Sequence, residues 1–145
     1  MRIVVYTDGG SRGNPGPAAI GVVISDGSGK VIREYSQFLG QATNNEAEYQ
    51  ALIFALKKIK QLFGKKKAKE TEVECRMDSE LISKQLNGEY KIEEPSLQPL
   101  FLRVWNLKID FGKVVFKHIF REENKRADRL ANQALNQEEG SQKLF

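Results

Sequence analysis

Hydrophobic residues recur along this chain with two different periods, and the change from one to the other divides it. Residues 2 to 7 (RIVVYT) form an apolar run, the turn-rich stretch GGSRGNPGPA follows, and residues 19 to 25 (AIGVVIS) form a second run. DGSGK then makes a tight turn, and VIREYSQFL alternates as a third strand. Connections this short between successive strands favour an antiparallel meander. From Asn44 to Phe63 the period becomes helical: Leu52, Ala55, Ile59 and Leu62 make one stripe, and Thr43 with Glu46 fits a T-x-x-E capping box at its start.

The second half alternates strand and helix. VECRM at 73 to 77 predicts a fourth strand, Ser79 to about Leu86 a short helix, and PSLQPLFLRVWNLKI a further helix beginning near Pro95. KVVFKHI at 113 to 119 predicts the fifth strand. Asn124 to about Gln137 closes the fold as a helix, with Ala127, Leu130, Ala131, Ala134 and Leu135 turned inward. Helices of this length can cross over between parallel strands, so the order βββ, α, β, α, α, β, α describes an α/β mixed sheet with helices against both faces. The expected layout is one domain over residues 1–137, followed by a flexible, frayed tail, EEGSQKLF, at 138–145.

Composition narrows the class. At 145 residues and 16.4 kDa the chain is long enough for one core without disulfides, and no apolar run approaches a membrane span. MRIVVYTDGG enters a strand directly rather than a signal peptide, which predicts a cytoplasmic protein, expected to be monomeric. The single Cys75, inside VECRM, reads as a buried thiol. The net charge of +4 and pI near 9.2 permit a phosphate-rich partner, and Lys57, Lys58, Lys60, Lys65, Lys66, Lys67 and Lys69 crowd one helix end. Such a cluster is equally a solvated helix end whose cations the dipole favours.

Four carboxylates sit where a charge is costly without a partner. Glu48 heads the apolar stripe, since 48, 52, 55, 59 and 62 are spaced by four and three; Glu46 points elsewhere and serves the cap. Asp128 lies one turn before Ala131 and two before Leu135, with Asn124 expected to cap that helix. Asp8 follows IVVYT and Asp78 follows VECRM, at the carboxyl ends of two strands, where mixed and parallel sheets bind ligands. Alternation, however, puts Asp78 on the face of Glu74 and Arg76, away from Val73, Cys75 and Met77, so that a terminal twist of the strand is needed to aim it inward.

TDGGSRGNPGPAAIG, TNNEAEYQALIFAL, MDSELI and REENKRADRLANQA, in that order over about residues 1 to 137, resemble the type 1 ribonuclease H family. The resemblance implies a five-stranded mixed sheet of order 3-2-1-4-5. It also implies that Asp8, Glu48, Asp78 and Asp128 bind two Mg²⁺ or Mn²⁺ ions, for which hard oxygen ligands suit. The implied activity is endonucleolytic hydrolysis of the RNA strand of an RNA/DNA hybrid, leaving 5′-phosphate and 3′-hydroxyl ends. Asn14, Asn44 and Asn45 match family positions that face the hybrid, and Thr43 one near a DNA-strand phosphate. All four also have turn or cap readings.

This chain departs from the pattern in two places. Where many members carry a mobile histidine before the last acid, the segment HIFREENKRAD resembles a shorter variant in which Arg121 stands near the metals; His118 is the alternative. An arginine there positions phosphate or stabilises charge and does not act as a base. The segment GEYKIEEPSLQP is short and acidic where some members carry a basic protrusion, so hybrid affinity is expected to be modest and salt-sensitive, with the lysines of 57 to 69, or Lys113, Lys117 and Lys125, as substitutes. Two other readings stay open: the same chemistry on double-stranded RNA, and a non-catalytic nucleic-acid-binding protein.

Overall fold

Ile3, Val5 and Thr7 alternate with Val4, Tyr6 and Asp8 along β1 (Arg2–Ser11), so the two sets face different layers. In the computed structural model, which describes residues 1–143, β1 is the centre of one five-stranded sheet ordered β3-β2-β1-β4-β5. Its partners are β2 (Gly16–Asp26), β3 (Val31–Ala42), β4 (Glu72–Met77) and β5 (Lys113–His118). β1, β2 and β3 pair antiparallel, whereas β4 runs parallel to both β1 and β5. The expected order and the helices on both faces are observed.

One face is covered by α1 (Asn44–Phe63), whose fully buried Leu52, Leu56 and Ile59 pack with Ile3, Val5, Ile20, Val22, Val73 and Cys75. Each such side chain contributes about 2 kcal/mol through burial. Thr43 caps α1 as a full capping box, its hydroxyl accepting from the Glu46 N–H at 3.1 Å while Glu46 Oε1 accepts from the Thr43 N–H at 2.8 Å. The other face is covered by α5 (Lys125–Lys143), whose Ala134 and Leu135 pack with Ala19. Two glycines let these layers come close. A Cβ on Gly9 would lie 2.3 Å from the Ala47 carbonyl carbon in α1, and one on Gly21 would lie 1.9 Å from the Ala127 oxygen in α5.

Several expected boundaries move. β1 runs to Ser11, so Asp8 is inside a strand and not at its end; the apolar run stops at Thr7, where pairing with β4 also stops, while β2 continues opposite Asp8 through Ser11. β2 starts at Gly16 and β3 reaches Ala42, leaving a shorter loop than GGSRGNPGPA suggested. The lysine-rich loop contains a short helix, α2 (Lys65–Lys69), after Gly64 ends α1 with φ +86°. The helix α3 (Glu80–Leu86) is as expected, and α4 (Gln98–Lys108) starts three residues after Pro95, whose carbonyl closes a turn with the Gln98 N–H. A 3₁₀ turn spans Arg121–Glu123. The expected tail is also different: residues 138–143 continue α5, and the remainder, Leu144 and Phe145, lies outside the described residues.

Cys75 is buried and free, and burial pushes its thiol up to about 12, which leaves it unreactive as expected. No helix among the described residues is long and apolar enough to cross a membrane.

Candidate metal and catalytic site

The last parallel pair of the sheet's centre is Thr7 opposite Met77, so Asp8 and Asp78 are the first residues beyond it on adjacent strands. They also share a face. Arg76 Nη1 donates to the Tyr6 hydroxyl at 2.7 Å, which places the even-numbered side chains of β1 and β4 on one side, with Asp8 and Asp78 next in the same two rows. Asp78, one residue past the end of β4, continues the row next to that of Asp8, and the two carboxylates meet. Alternation within β4 compares Asp78 only with the apolar face of its own strand, whereas Asp8 stands on the opposite face too.

Glu48 approaches from the α1 side. The bare Gly9 lets the first turns of α1 come down on the sheet, and the Gly9 N–H donates to Glu48 Oε1 at 3.1 Å. Asp8, Glu48 and Asp78 each place a carboxylate oxygen within 4.8 Å of the others. Asp8 is 9% and Glu48 8% exposed, so both carboxylates are largely withdrawn from water. Asp128, in the first turn of α5, is exposed at the rim of the same cleft, close enough to add charge to Asp8, and Asn132 Nδ2 donates to its Oδ1 at 3.3 Å. It is not one of the tight three. Its expected place on the inward face is corrected to the rim, because the α5 side chains facing the sheet start with Ala127 and Ala131.

Electrostatics follow from this crowding. Burial, then the charge of Asp78, raise Asp8 to about 7, even though a hydrogen bond with Glu48 works the other way. Glu48 is raised well above its ordinary value by burial and then by Asp8. Asp78 is raised by burial, while the Arg121 guanidinium and the Asn124 amide favour its charged form. Three carboxylates that resist ionising together, with no thiolate or imidazole among them, fit a hard divalent cation, whose charge would hold them ionised.

The cleft, about 360 Å³, is lined by Asp8, Gly9, Gly10, Asn44, Asn45, Glu48, Asp78, Ser79, Arg121 and Asp128. Arg121 is thus at the acids, whereas His118, at the end of β5, packs edge-on against Phe120 and neighbours Glu80. Asn14 sits beside the cleft, its Oδ1 accepting the Asn44 N–H at 3.0 Å, and Thr43 is engaged in its cap. The lysines of 57 to 69 are elsewhere. They start at Lys57, about 20 Å along α1 from Asn44, and gather at the far end of that helix and just beyond it. There Lys65, Lys66 and Lys69 line a larger cavity of about 660 Å³ with Glu70, Ile109 and Asp110, and Lys60 pairs with Asp110 at 3.1 Å.

Asn124 has a different role from the expected cap. Its side chain is 1% exposed, and Nδ2 donates to the Thr7 carbonyl at 2.9 Å, tying the start of α5 to β1 directly before Asp8. An Asn just before a helix has the same sequence signature in either role. Ser79, which caps α3 by accepting the Ile82 N–H at 3.2 Å and also lines the cleft, likewise carried no separate signal.

The family described as reverse transcriptase-like matches residues 6–134. Ribonuclease HI of Halobacterium salinarum is 43% identical over 134 residues, which is 92% of this chain and 64% of that protein. A bifunctional protein of Mycobacterium tuberculosis is 40% identical over 137 residues, 93% of this chain and 36% of that protein. The chain thus spans less than two thirds of the length of either relative. LC11-RNase H1, in its crystal structure in complex with an RNA/DNA hybrid, superposes with a TM-score of 0.88 at 50% identity, covering 93% of this chain and 97% of that one. In sequence over nearly its whole length, and in fold, this chain belongs to the type 1 ribonuclease H family.

Proposed function

We propose that this protein hydrolyses the RNA strand of RNA/DNA hybrids endonucleolytically, leaving 5′-phosphate and 3′-hydroxyl ends. The observation that carries the reading is the convergence of Asp8, Glu48 and Asp78 within 4.8 Å, with Asp128 at the rim, in a chain half identical to a protein crystallised on such a hybrid. Asp8, Glu48, Asp78 and Asp128 would hold two Mg²⁺ or Mn²⁺ ions. When bound, such a pair activates a water on one side of the phosphodiester and stabilises the leaving oxygen on the other.

The chain's own residues do the rest. Asp8 and Glu48, drawn toward protonation by burial, would release protons as cations bind, so loading is expected to be favoured by rising pH. Arg121, near enough to Asp78 to favour its charged form, offers a guanidinium to the scissile phosphate. Asn14, Asn44 and Asn45 carry amides that both donate and accept, as a 2′-hydroxyl requires, and that hydroxyl separates an RNA strand from DNA. Thr43 and the start of α1 present a helix N-terminus to a phosphate of the other strand.

Labelled RNA/DNA hybrid, double-stranded RNA and double-stranded DNA, each incubated with Mg²⁺, Mn²⁺ or EDTA, test the reading. The expected result is cleavage of the hybrid's RNA strand alone, with either metal and not with EDTA. Cleavage that survives EDTA contradicts the mechanism, and cut double-stranded RNA beside intact hybrid contradicts the substrate. Hybrid bound and left intact would make the protein a binder.

A further inference from the structure

The loop between β1 and β2 is gripped from two sides. On the α1 side, Asn14 Oδ1 accepts the Asn44 N–H at 3.0 Å, and Asn44 Oδ1 accepts the Ser11 N–H at 2.9 Å and the Ser11 hydroxyl at 3.2 Å. On the α5 side, Arg12 Nη1 donates to Glu139 Oε1 at 2.6 Å, and Nη2 donates to Asn136 Oδ1 at 2.8 Å and to Asn132 Oδ1 at 3.4 Å. Positions 132, 136 and 139 fall on one face of α5. Three acceptors on one rigid face meeting a planar fork of donors fix direction as well as distance.

Apart from these grips, the loop is closed by a backbone hydrogen bond from the Arg12 N–H to the Pro17 carbonyl at 2.9 Å. Arg12, Gly13, Asn14 and Pro15 are exposed, so no buried apolar side chain anchors them. The Arg12–Glu139 pair is itself partly exposed, at 35% and 50%, which makes it a weak contributor to global stability. Its geometry is nonetheless specific, and the loop it holds carries Asn14 beside the carboxylate cleft.

We propose that Arg12 and the Asn132, Asn136 and Glu139 face of α5 form a positioning clamp, which sets the loop so that Asn14 and its partner Asn44 meet the minor groove of the hybrid in register. The clamp rests on the hybrid-cleaving reading above. Arg12 is a positioning residue here and touches no reacting atom. The C-terminal half of α5 thereby takes part in substrate binding without facing the substrate. Asn132 touches both sites, its Oδ1 accepting from Arg12 at 3.4 Å and its Nδ2 donating to the Asp128 carbonyl at 3.1 Å, so the variants that test the clamp leave Asn132 in place and change Arg12 and Glu139 alone.

The full chain is compared with Arg12→Met, Glu139→Ala and the exchanged pair Arg12→Glu with Glu139→Arg, reading hydrogen exchange at the amides of residues 11–14 together with KM and kcat on a hybrid. Both single variants are expected to speed exchange of the loop about tenfold. They are also expected to raise KM about three- to tenfold with kcat and the Mg²⁺ dependence unchanged, and the exchanged pair to recover most of both. Wild-type exchange and KM in Glu139→Ala would overturn the clamp, as would faster exchange without a change in KM. A lower KM in Glu139→Ala would overturn it in another way, by showing that a freed Arg12 grips the hybrid itself. Should the wild-type chain leave the hybrid intact, the hydrolytic reading falls by that measurement, and the exchange rates still decide whether the clamp holds the loop.

Discussion

Asp8 shows how much of the site is visible in one residue's surroundings. Its carboxyl is buried beside two others and raised to about 7 from 3.8. The folded state therefore holds this proton more tightly than the unfolded chain does, so the stability that Asp8 contributes to the metal-free protein is full below about pH 4 and is lost as the pH rises toward 7. A rise of that size, shared with Glu48, corresponds to roughly 2–4 kcal/mol. Asp8→Asn is expected to flatten that pH dependence and to stabilise the metal-free protein at pH 7, measured by urea unfolding at several pH values. Mg²⁺ should restore much of the wild-type stability at pH 7 and little of the variant's. Equal slopes for the two proteins from pH 4 to 7 would contradict the electrostatic account. Of this, the position of Glu48 on an apolar stripe was legible in the sequence, because helical spacing is local. The alliance of Asp8 with Asp78 was not, because it depends on the register between two strands about 70 residues apart.

At the level of elements, the site exists because two helices are allowed close to the sheet. Gly21, opposite Asp8, leaves room for the Ala127 carbonyl, and α5 then delivers Asp128 to the rim. Gly21→Ala is expected to cost about 3 kcal/mol by forcing that helix outward. Gly140→Ala, in the same helix with open space around it, is expected to gain about 0.5–1 kcal/mol. Thermal unfolding of both variants checks the contrast, and similar melting temperatures would refute the close approach. The long periodic elements were readable because α1 and α5 carry their stripes in full. Short or polar ones were not: KKKAK has no apolar period to announce α2, and β1 beyond Thr7 continues as DGGS, whose turn-like composition hides a paired strand. The end of α5 is hidden for a related reason: EEGSQK at 138–143 has no apolar position to continue the stripe, and the partner of Glu139 is Arg12, at the other end of the chain.

Across the whole molecule, charge and chemistry are segregated. The carboxylate cleft lies at one end of α1 and the lysine cluster at the other, so the net charge of +4 describes a molecule with a local acidic hole and a distant basic end. The lysines at 57 to 69, expected as substitutes for a basic protrusion in hybrid binding, stand away from the acids, so any phosphates they meet would be other than the scissile one. In the cleft itself the groups available to a nucleic-acid partner are the Arg121 guanidinium and the Asn44 and Asn45 amides. The converging carboxylates are proposed to hold two divalent ions that cut RNA. The decisive measurement is single-turnover cleavage of a hybrid carrying a 5′-labelled RNA strand, with product ends identified by mass, in the wild-type protein and Asp8→Asn under Mg²⁺. Internal cuts leaving 5′-phosphate and 3′-hydroxyl ends are expected, with the rate falling about 10³-fold or more in the variant. Cleavage by Asp8→Asn at the wild-type rate, or products ending in a 3′-phosphate, would rule out the two-ion site proposed for these carboxylates.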